Sequence, residues 1–259
     1  MLEEKIREFI SGQKGNIAVV VKDLSNNDTI KINENLVFPS ASTIKLSIMS
    51  ELFNKVNEGI YRLNDVIEIN EKMKTDGDGI LKELNSGHKF TLEEICTLMI
   101  IVSDNMATNI LIDLLGMDNI NTAIKNLGLQ DTKLQRKMMD SQAAKEGKEN
   151  LITAEDFAHI LELIYKGENI NAKFSELMLN ILKRQQVRGR LDLYLPEEVV
   201  IAHKTGDLDY LEHDGGIVYL PDKEYIICVL TNQTESNKEG REIIGKISRL
   251  VYEDMLYRN

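Results

Sequence analysis

The chain has 259 residues, and with 42% hydrophobic residues it can bury the core of one large domain or of two interleaved domains. Its 31 Lys and Arg residues are outnumbered by 42 Asp and Glu residues, and the net charge of −11 disfavours nucleic acid and anionic membranes as partners. No apolar run reaches the roughly 18 residues that a membrane-spanning helix needs, so we expect no transmembrane segment.

The N-terminal region is predicted to form a helix followed by a β-hairpin. Residues 2–11 alternate charged and apolar side chains like a surface helix, which ends at Gly12. Asn16–Lys22 and Thr29–Ile32 are typical of two strands joined by a polar turn. The first residues do not resemble a signal peptide. We therefore expect a cytoplasmic chain as it stands, or an extracytoplasmic one from which a leader has been removed.

The stretch from Pro39 to Lys45 opens a predicted buried helix that runs to about Asn57. Ser42 and Lys45 are three residues apart and therefore share one helix face. A serine hydroxyl is a poor nucleophile unless a base lies within hydrogen-bond reach. Burial lowers the pKa of a lysine, so a buried Lys45 can be the neutral base that Ser42 needs. The helix N-terminus adds backbone N–H groups where an oxyanion can bind.

The Ser-x-x-Lys pattern occurs three times, beginning at Ser11, at Ser42 and at Ser86. Only Ser42 opens a long apolar helix, because the first pattern follows a short helix and the third lies in a turn. A buried helix with a serine near its cap is the alternative interpretation. This motif alone therefore does not establish a nucleophile.

The middle of the chain is predicted to be mostly helical. Apolar periodicity and capping signals indicate helices at residues 91–101, 104–115, 117–127, 153–166 and 172–184. Between them, Tyr61–Asn70 is expected to be extended or irregular, and Asp76–Gly79 to be a loop. Asp131–Asn150 lacks a clean period, and a loop of this length in a compact domain is typically functional or disordered.

After Pro196 the sequence changes from helical periodicity to short runs typical of β-strands. Strands are predicted at residues 199–204, 215–220 and 225–231. A closing amphipathic helix is predicted over 238–256. Strands therefore occur at both ends of the chain and helices fill its middle.

This order of elements predicts an α/β fold of the α+β type. The two ends of the chain would build one antiparallel sheet flanked by the terminal helices, with an all-α lobe inserted between them. We expect an α/β domain made of residues 1–35 and 191–259, and an all-α domain made of residues 36–190.

The cysteine and histidine residues show no pattern typical of a metal site or a reactive thiol. Cys96 and Cys228 each lie in an apolar run, which favours two buried thiols over a disulfide or a nucleophile. The four histidines are scattered, and no Cys/His cluster has metal-ligand spacing. We therefore expect no metal and no cofactor.

Two further short motifs accompany the Ser42 stretch. Ser103-Asp104-Asn105 lies at the junction of two predicted helices, and Lys204-Thr205-Gly206 lies at the end of a predicted strand. With Ser-x-x-Lys at Ser42, these motifs in this order resemble those of the penicillin-recognising serine hydrolases, and within them the class A β-lactamases. The resemblance extends over nearly the whole chain and includes the strand, helical lobe, strand layout.

The resemblance implies which residues carry the reaction. Ser42 would attack the amide carbonyl, and Lys45 would take its proton directly or through water. Ser103 would pass a proton to the departing nitrogen. The backbone N–H groups of Ser42 and Asp207 would form the oxyanion hole.

The resemblance also implies a substrate-binding set. Asn105 would hold the substrate's side-chain amide and help to fix the catalytic lysine. Lys204 and Thr205 would bind the substrate carboxylate, and Gly206 would let the substrate approach the strand edge. Arg190 stands where some members place an arginine that supports the carboxylate pocket.

The long loop departs from the pattern of that family. Alignment on Leu134-x-Arg136 puts Met138 at the place of the family's deacylating glutamate and Gln142 at the place of a water-holding asparagine. A thioether cannot accept a proton from water, so Asp140 is the nearest carboxylate that can act as the deacylation base. Glu146 and Glu149 are weaker candidates that are expected to be solvated.

Three other positions bear on the resemblance. Asn109 matches a buried asparagine that braces the long loop in the family. Asp207 places an acidic side chain beside the expected carboxylate pocket, where like charge disfavours an anionic substrate. The helix-linking disulfide of the family is absent, because Met49 occupies the position of the partner of Cys96.

Each motif also has a plain structural interpretation. All three residue types of Ser103-Asp104-Asn105 favour helix caps, and Lys204-Thr205-Gly206 is also compatible with an ordinary strand end. Arg190 is equally compatible with the pocket and with the surface. The joint occurrence of the motifs, in order, is what favours a catalytic site.

The function that the resemblance implies is a β-lactamase-like serine hydrolase that opens β-lactam amide bonds through a Ser42 acyl-enzyme. The alternatives are a penicillin-binding peptidase or esterase with slow deacylation, and a non-catalytic sensor that binds β-lactams or peptidoglycan. The expected partner is a small-molecule β-lactam or peptidoglycan-like substrate, with no nucleic acid and no membrane, and the expected state is a monomer.

Overall fold

A computed structural model describes residues 1–257 of the chain. Its helices are α1 (Leu2–Ser11), α2 (Lys45–Asn57), α3 (Leu92–Ile101), α4 (Asn105–Leu115), α5 (Met117–Asn126), α6 (Ser141–Lys145), α7 (Ala154–Lys166), α8 (Ala172–Leu182) and α9 (Asn237–Tyr257). Its strands are β1 (Asn16–Asp23), β2 (Thr29–Ile32), β3 (Phe38–Pro39), β4 (Val66–Glu68), β5 (Lys89–Thr91), β6 (Leu151–Ile152), β7 (Val200–Leu208), β8 (Leu211–Tyr219) and β9 (Glu224–Asn232).

The main sheet joins the two ends of the chain. Its strand order is β2-β1-β9-β8-β7 with antiparallel pairing throughout, and Val19 of β1 lies opposite Val229 of β9. The antiparallel sheet expected from the sequence is therefore confirmed. Strand β7 is left at one edge of the sheet, with its outer side available to another part of the chain.

Both faces of this sheet are covered. Val19 and Val21 of β1 pack with α1 and α9, where Ile6 and Ile244 are fully buried. Alternate residues of the same strand, Ala18 and Val20, join the core formed with the central helices. Because successive side chains of a strand point to opposite faces, a sheet buried on both sides requires such a continuous apolar run.

Two local differences from the sequence prediction affect the site. The helix that was predicted to begin at Ser42 starts with a 3-10 turn, Ala41–Ile44, and α2 begins only at Lys45. Ala41 has a φ of +45°, a backbone conformation that is uncommon for a residue other than glycine. The loop 131–150 also contains the short helix α6. Its N-cap is Asp140, which the sequence suggested as the deacylation base.

Cys96 and Cys228 are buried free thiols, as expected. Burial raises the pKa of the Cys96 thiol to about 12, which makes it a poor nucleophile. Within residues 1–257 no helix combines the length and the apolar character needed to cross a membrane. The division into two domains remains a prediction.

Candidate active site

The turn that carries Ser42 is held in place from both sides. The backbone N–H of Ser40 donates to the carbonyl of Asn150 at 2.7 Å, and Nε2 of His213 lies 2.8 Å from the carbonyl of Pro39. Burial lowers the pKa of His213 to about 4, so near neutral pH the ring is uncharged and its Nε2–H can donate to this carbonyl. The sheet and the long loop therefore position the nucleophile segment together.

Lys45 begins helix α2, one turn after Ser42, and its side chain is fully buried. Its Nζ lies 2.7 Å from the Ser103 carbonyl, 3.0 Å from Ser103 Oγ and 3.0 Å from Asn105 Oδ1, so its hydrogen bonds reach Ser103 and Asn105 rather than Ser42. Burial holds the pKa of Lys45 well below its usual value, and the positive charge of Lys204 adds to this effect. The neutral amine that a base requires is therefore favoured.

Ser103 lies between two lysines. Its Oγ is 3.0 Å from Lys45 Nζ and 3.3 Å from Lys204 Nζ, and its φ of +55° is rare for a residue other than glycine. Burial, with the nearby charge of Arg190, lowers the pKa of Lys204 to about 7. A hydroxyl between two amines of lowered pKa can pass protons between them.

Asp104, the middle residue of that motif, has a structural role. It caps helix α4 by accepting the N–H of Ala107 at 2.8 Å, and its other oxygen accepts the N–H groups of Ile80 at 2.7 Å and Leu81 at 2.9 Å. A Cβ added to Gly79, whose φ is +117°, would lie 2.3 Å from Asp104 Cγ. The helix-cap interpretation is therefore right for Asp104, while the residues on either side of it contact Lys45.

Strand β7 brings the third motif against the nucleophile. A Cβ added to Gly206 would lie 2.9 Å from the backbone nitrogen of Ser42, so only glycine allows this approach. Lys204 and Thr205 are both buried, and Lys204 Nζ donates to the Thr205 carbonyl at 2.7 Å. The structure thus brings together all three sequence motifs.

Arg190 is buried beside this motif rather than at the surface. Its Nη2 donates to Asp207 Oδ1 at 2.8 Å and its Nε donates to Glu212 Oε2 at 2.6 Å. Glu212, fully buried, also accepts from Arg241 at 3.0 Å. No sequence pattern pointed to Glu212 or Arg241, because the pairing of β7 with β8 brings Glu212 near the site and Arg241 reaches it from helix α9.

The long loop is held at Met138. The Met138 N–H donates to Asn109 Oδ1 at 2.8 Å, and Asn109 Nδ2 donates to the Met138 carbonyl at 3.1 Å. Asn109 therefore braces the loop, as the resemblance implied. The Met138 side chain is mostly buried and lines the cavity in front of Ser42.

Asp140 and Gln142 do not reach this cavity. Asp140 caps helix α6 by accepting the N–H of Ala143 at 2.9 Å, and Gln142 is exposed and bonds to Glu146. Asp140 is the sequence-based candidate for the deacylation base; in the structure its carboxylate caps α6 and is not among the residues that line this cavity. The short helix α6, which the sequence did not predict, begins directly after Asp140 and engages this carboxylate at its N-terminus.

The cavity in front of Ser42 has a volume of about 140 Å³, enough for a few water molecules. It is lined by Ala41, Ser42, Gly77, Asp78, Asn105, Arg136, Met138, Met139, Glu149, Asn150, Asp207 and Leu208. Three carboxylates are in this set, those of Asp78, Glu149 and Asp207. The sequence had not pointed to Asp78, and it had indicated Glu149 only as a weaker candidate for the deacylation base. Glu149, which the sequence predicts to be solvated, is half-buried and is paired with Arg136.

Comparison with known sequences identifies one family over almost all of the chain. A model of the "Beta-lactamase enzyme family" matches residues 1–255. A β-lactamase of Bacteroides uniformis is 26% identical over 270 residues, which cover 98% of this chain and 91% of that protein.

Solved structures give a similar result. A β-lactamase of Sphaerobacter thermophilus is 29% identical and superposes with a TM-score of 0.91 over 99% of this chain and 98% of that one. A mutant of PBP-A, solved as an acyl-enzyme complex with penicillin G, is 27% identical with a TM-score of 0.91 over 99% of this chain and 97% of that one.

Proposed function

The chain belongs to the beta-lactamase enzyme family, and from that premise we propose that Ser42 carries its reaction as an acylated nucleophile. The protein is a β-lactamase-like serine hydrolase. The observation that supports Ser42 most strongly is that three separate segments converge on it. Lys45 follows one turn later, Ser103 bonds to both buried lysines, and Gly206 packs against the Ser42 nitrogen.

In the first step, Ser42 Oγ attacks the carbonyl carbon of the scissile amide. Its proton passes to the neutral amine of Lys45, directly or through a water molecule. The resulting oxyanion accepts hydrogen bonds from backbone N–H groups of Ser42 and Asp207, which the close approach of β7 makes available. Ser103, bonded to both Lys45 and Lys204, then gives a proton to the departing nitrogen as the amide bond breaks.

The substrate is held beside the same strand. Lys204 and Thr205 bind its carboxylate, and Asn105 binds its side-chain amide while it also fixes Lys45. Arg190 supports this end of the pocket, but its guanidinium already donates hydrogen bonds to the carboxylates of Glu212 and Asp207. We propose β-lactams and peptidoglycan-like amides as the substrate class. Within this class, we expect the enzyme to bind strongly anionic substrates more weakly.

A second candidate function is a penicillin-binding peptidase or esterase whose acyl-enzyme persists. Met138 favours it, because this side chain lines the cavity where family members carry a glutamate base. General-base assistance is worth roughly 10²–10⁴-fold, so its loss would turn a hydrolase into a trap for penicillin. A non-catalytic sensor is less consistent with the chain, because the nucleophile, the base and the proton-relay serine are all retained.

One experiment separates these functions. The protein is mixed with a chromogenic cephalosporin, and absorbance is followed together with intact mass. We expect a covalent adduct that is absent in Ser42→Ala, with ring opening that continues after the first turnover. A long-lived adduct without further turnover would favour the second candidate. Folded protein with neither adduct nor ring opening would contradict the proposal.

A further inference from the structure

Glu149 lies at the end of the long loop, and its side chain lines the same small cavity as Ser42 and Met138. The Arg136 guanidinium donates to both of its oxygens at 3.1 Å, and the backbone N–H of Asn150 donates to Oε1 at 2.9 Å. The Glu149 side chain is 30% exposed and that of Arg136 only 12%. This carboxylate is therefore oriented by its surroundings and still open to water.

The neighbouring residue ties Glu149 to the nucleophile segment. The Asn150 carbonyl accepts the N–H of Ser40 at 2.7 Å, two residues before Ser42. The Asn150 side-chain oxygen accepts the N–H groups of Gln135 at 2.7 Å and Arg136 at 3.0 Å, which join the two ends of the loop. Hydrogen bonds of the adjacent residue Asn150 therefore fix the position of Glu149 relative to the nucleophile segment.

The other carboxylates near the cavity are less suited to activating water. Asp78 is exposed, on the loop that Asp104 holds. Asp207 lies on the β7 side of the site, where it is paired with Arg190. Asp140 caps helix α6 and does not line the cavity. Only Glu149 combines a place on the loop side, beside Met138, with an oriented carboxylate.

We propose that Glu149 is the general base that activates water for hydrolysis of the acyl-enzyme. This inference rests on the proposed function, because it concerns the ester formed at Ser42. The water oxygen bonds to the ester carbon while one water proton moves to a Glu149 oxygen. The bond between this carbon and Ser42 Oγ then breaks, the proton returns to Oγ, and the product leaves as a carboxylic acid.

The ion pair with Arg136 sets the character of this base. Both Glu149 oxygens accept a hydrogen bond from the guanidinium, and a carboxylate has further acceptor sites that a water molecule can use. Proton transfer to Glu149 weakens the same ion pair, so the step is slower than it would be with an unpaired base. Acylation is therefore expected to be faster than deacylation.

The test is the lifetime of the Ser42 adduct with penicillin G in Glu149→Gln. The amide oxygen of glutamine can still accept from Arg136 and from Asn150, but it cannot take a proton from water. We expect the acylation rate to change by less than about twofold and the adduct lifetime to increase by roughly 10²-fold. Glu146→Gln is the matched control, because it removes an exposed carboxylate of the same loop and should leave the lifetime unchanged.

A purely structural role of the ion pair would give a different result. Hydroxylamine cleaves an ester without a general base, so it should release the adduct of Glu149→Gln as fast as that of the unaltered protein. An unchanged lifetime, equal slowing of acylation and deacylation, or loss of hydroxylamine cleavage in the variant would overturn the role of Glu149. If the unaltered protein forms no adduct at all, the proposed function fails together with this inference.

Discussion

Two regions of the active site are built differently. We call Ser42, Lys45, Ser103 and Lys204 the acylation side, and the part of the loop 131–150 that faces the cavity the loop side. Lys45, Ser103 and Lys204 are buried on regular elements or at their ends, and they bond to one another. On the side of the loop 131–150, Met139 has a φ of +61° and is exposed, and the Glu149 carboxylate is paired with Arg136. The first chemical step therefore depends on the core, whereas the second depends on a loop that can vary without disturbing the core.

This difference has an energetic basis. Burying a lysine without an ionic partner favours its neutral form, and the packing of α2, α4 and β7 supplies the free energy for that burial. The same burial that lowers the pKa of Lys45 creates the base. The loop 131–150 contributes only Leu134 and Met138 to the buried core, so its conformation depends on individual hydrogen bonds such as the two between Asn109 and Met138.

Removal of the buried amine is the most severe test of the acylation side. Lys45→Met keeps the length and the apolar stem of the side chain but removes the base, so we expect acylation by penicillin G to slow by roughly 10²–10⁴-fold. The rate of adduct formation by intact mass is the measurement. Lys137→Met, which removes a half-exposed lysine paired with Asp113, is the control and should acylate normally. A Lys45→Met protein that acylates at the original rate would exclude Lys45 as the base.

A carboxylate added to the loop side should speed deacylation rather than impair it. Met138→Glu places a carboxylate at the cavity wall, and we expect the adduct lifetime to shorten by roughly 10²-fold while acylation is little changed. Because this carboxylate is partly buried, a lower melting temperature should accompany the gain. Met138→Gln, of similar size but without basicity, is the control. Equal lifetimes for the two variants would show that a carboxylate at this position does not assist deacylation.

The pH dependence of acylation should report the two buried lysines. At low pH, Lys45 becomes protonated and the base is lost, so the rate rises with pH on the acid side. As pH rises through about 7, Lys204 loses the positive charge that attracts a substrate carboxylate, and kcat/KM for an anionic substrate falls. We expect a bell-shaped profile for penicillin G and no descending limb near pH 7 for an uncharged ester. Identical profiles for both substrates would contradict the role of Lys204 in binding the carboxylate.

The smallest expected effect concerns Asp207. Asp207→Asn removes a negative charge beside the carboxylate pocket but can keep the hydrogen bond from Arg190. We expect acylation by anionic penicillin G to increase by about twofold to tenfold at low ionic strength, and the gain to shrink in high salt. Uncharged ester substrates serve as the internal control and should react unchanged. An equal gain with both substrates would point to a change in geometry rather than in charge.

Much of the acylation side could be predicted from the sequence, because its signals are local. The spacing of Ser42 and Lys45, the capping box at Thr91 and the continuous apolar run of β1 each depend on neighbouring residues. The loop could not be predicted in this way. Its short helix α6 uses Asp140 as a cap, and the pairing of Glu149 with Arg136 joins residues 13 positions apart across an irregular segment.

The burial of Arg190 illustrates the same limit. From the sequence, this arginine was equally compatible with the pocket and with the surface. Its contact with Glu212 depends on the register that places Asp207 opposite Glu212 in β7 and β8. A register between strands is a property of the assembled sheet, which no short window of sequence contains.

The most direct test of the central claim is a millisecond-to-minute time course of intact mass after mixing with excess penicillin G. The account predicts that a single adduct on Ser42 forms quickly, reaches nearly full occupancy and decays more slowly than it formed, and that Ser42→Ala shows no adduct. An adduct that never accumulates during rapid turnover would contradict the inferred imbalance between the two steps. An adduct on another residue, or one that persists in Ser42→Ala, would contradict the assignment of the nucleophile itself.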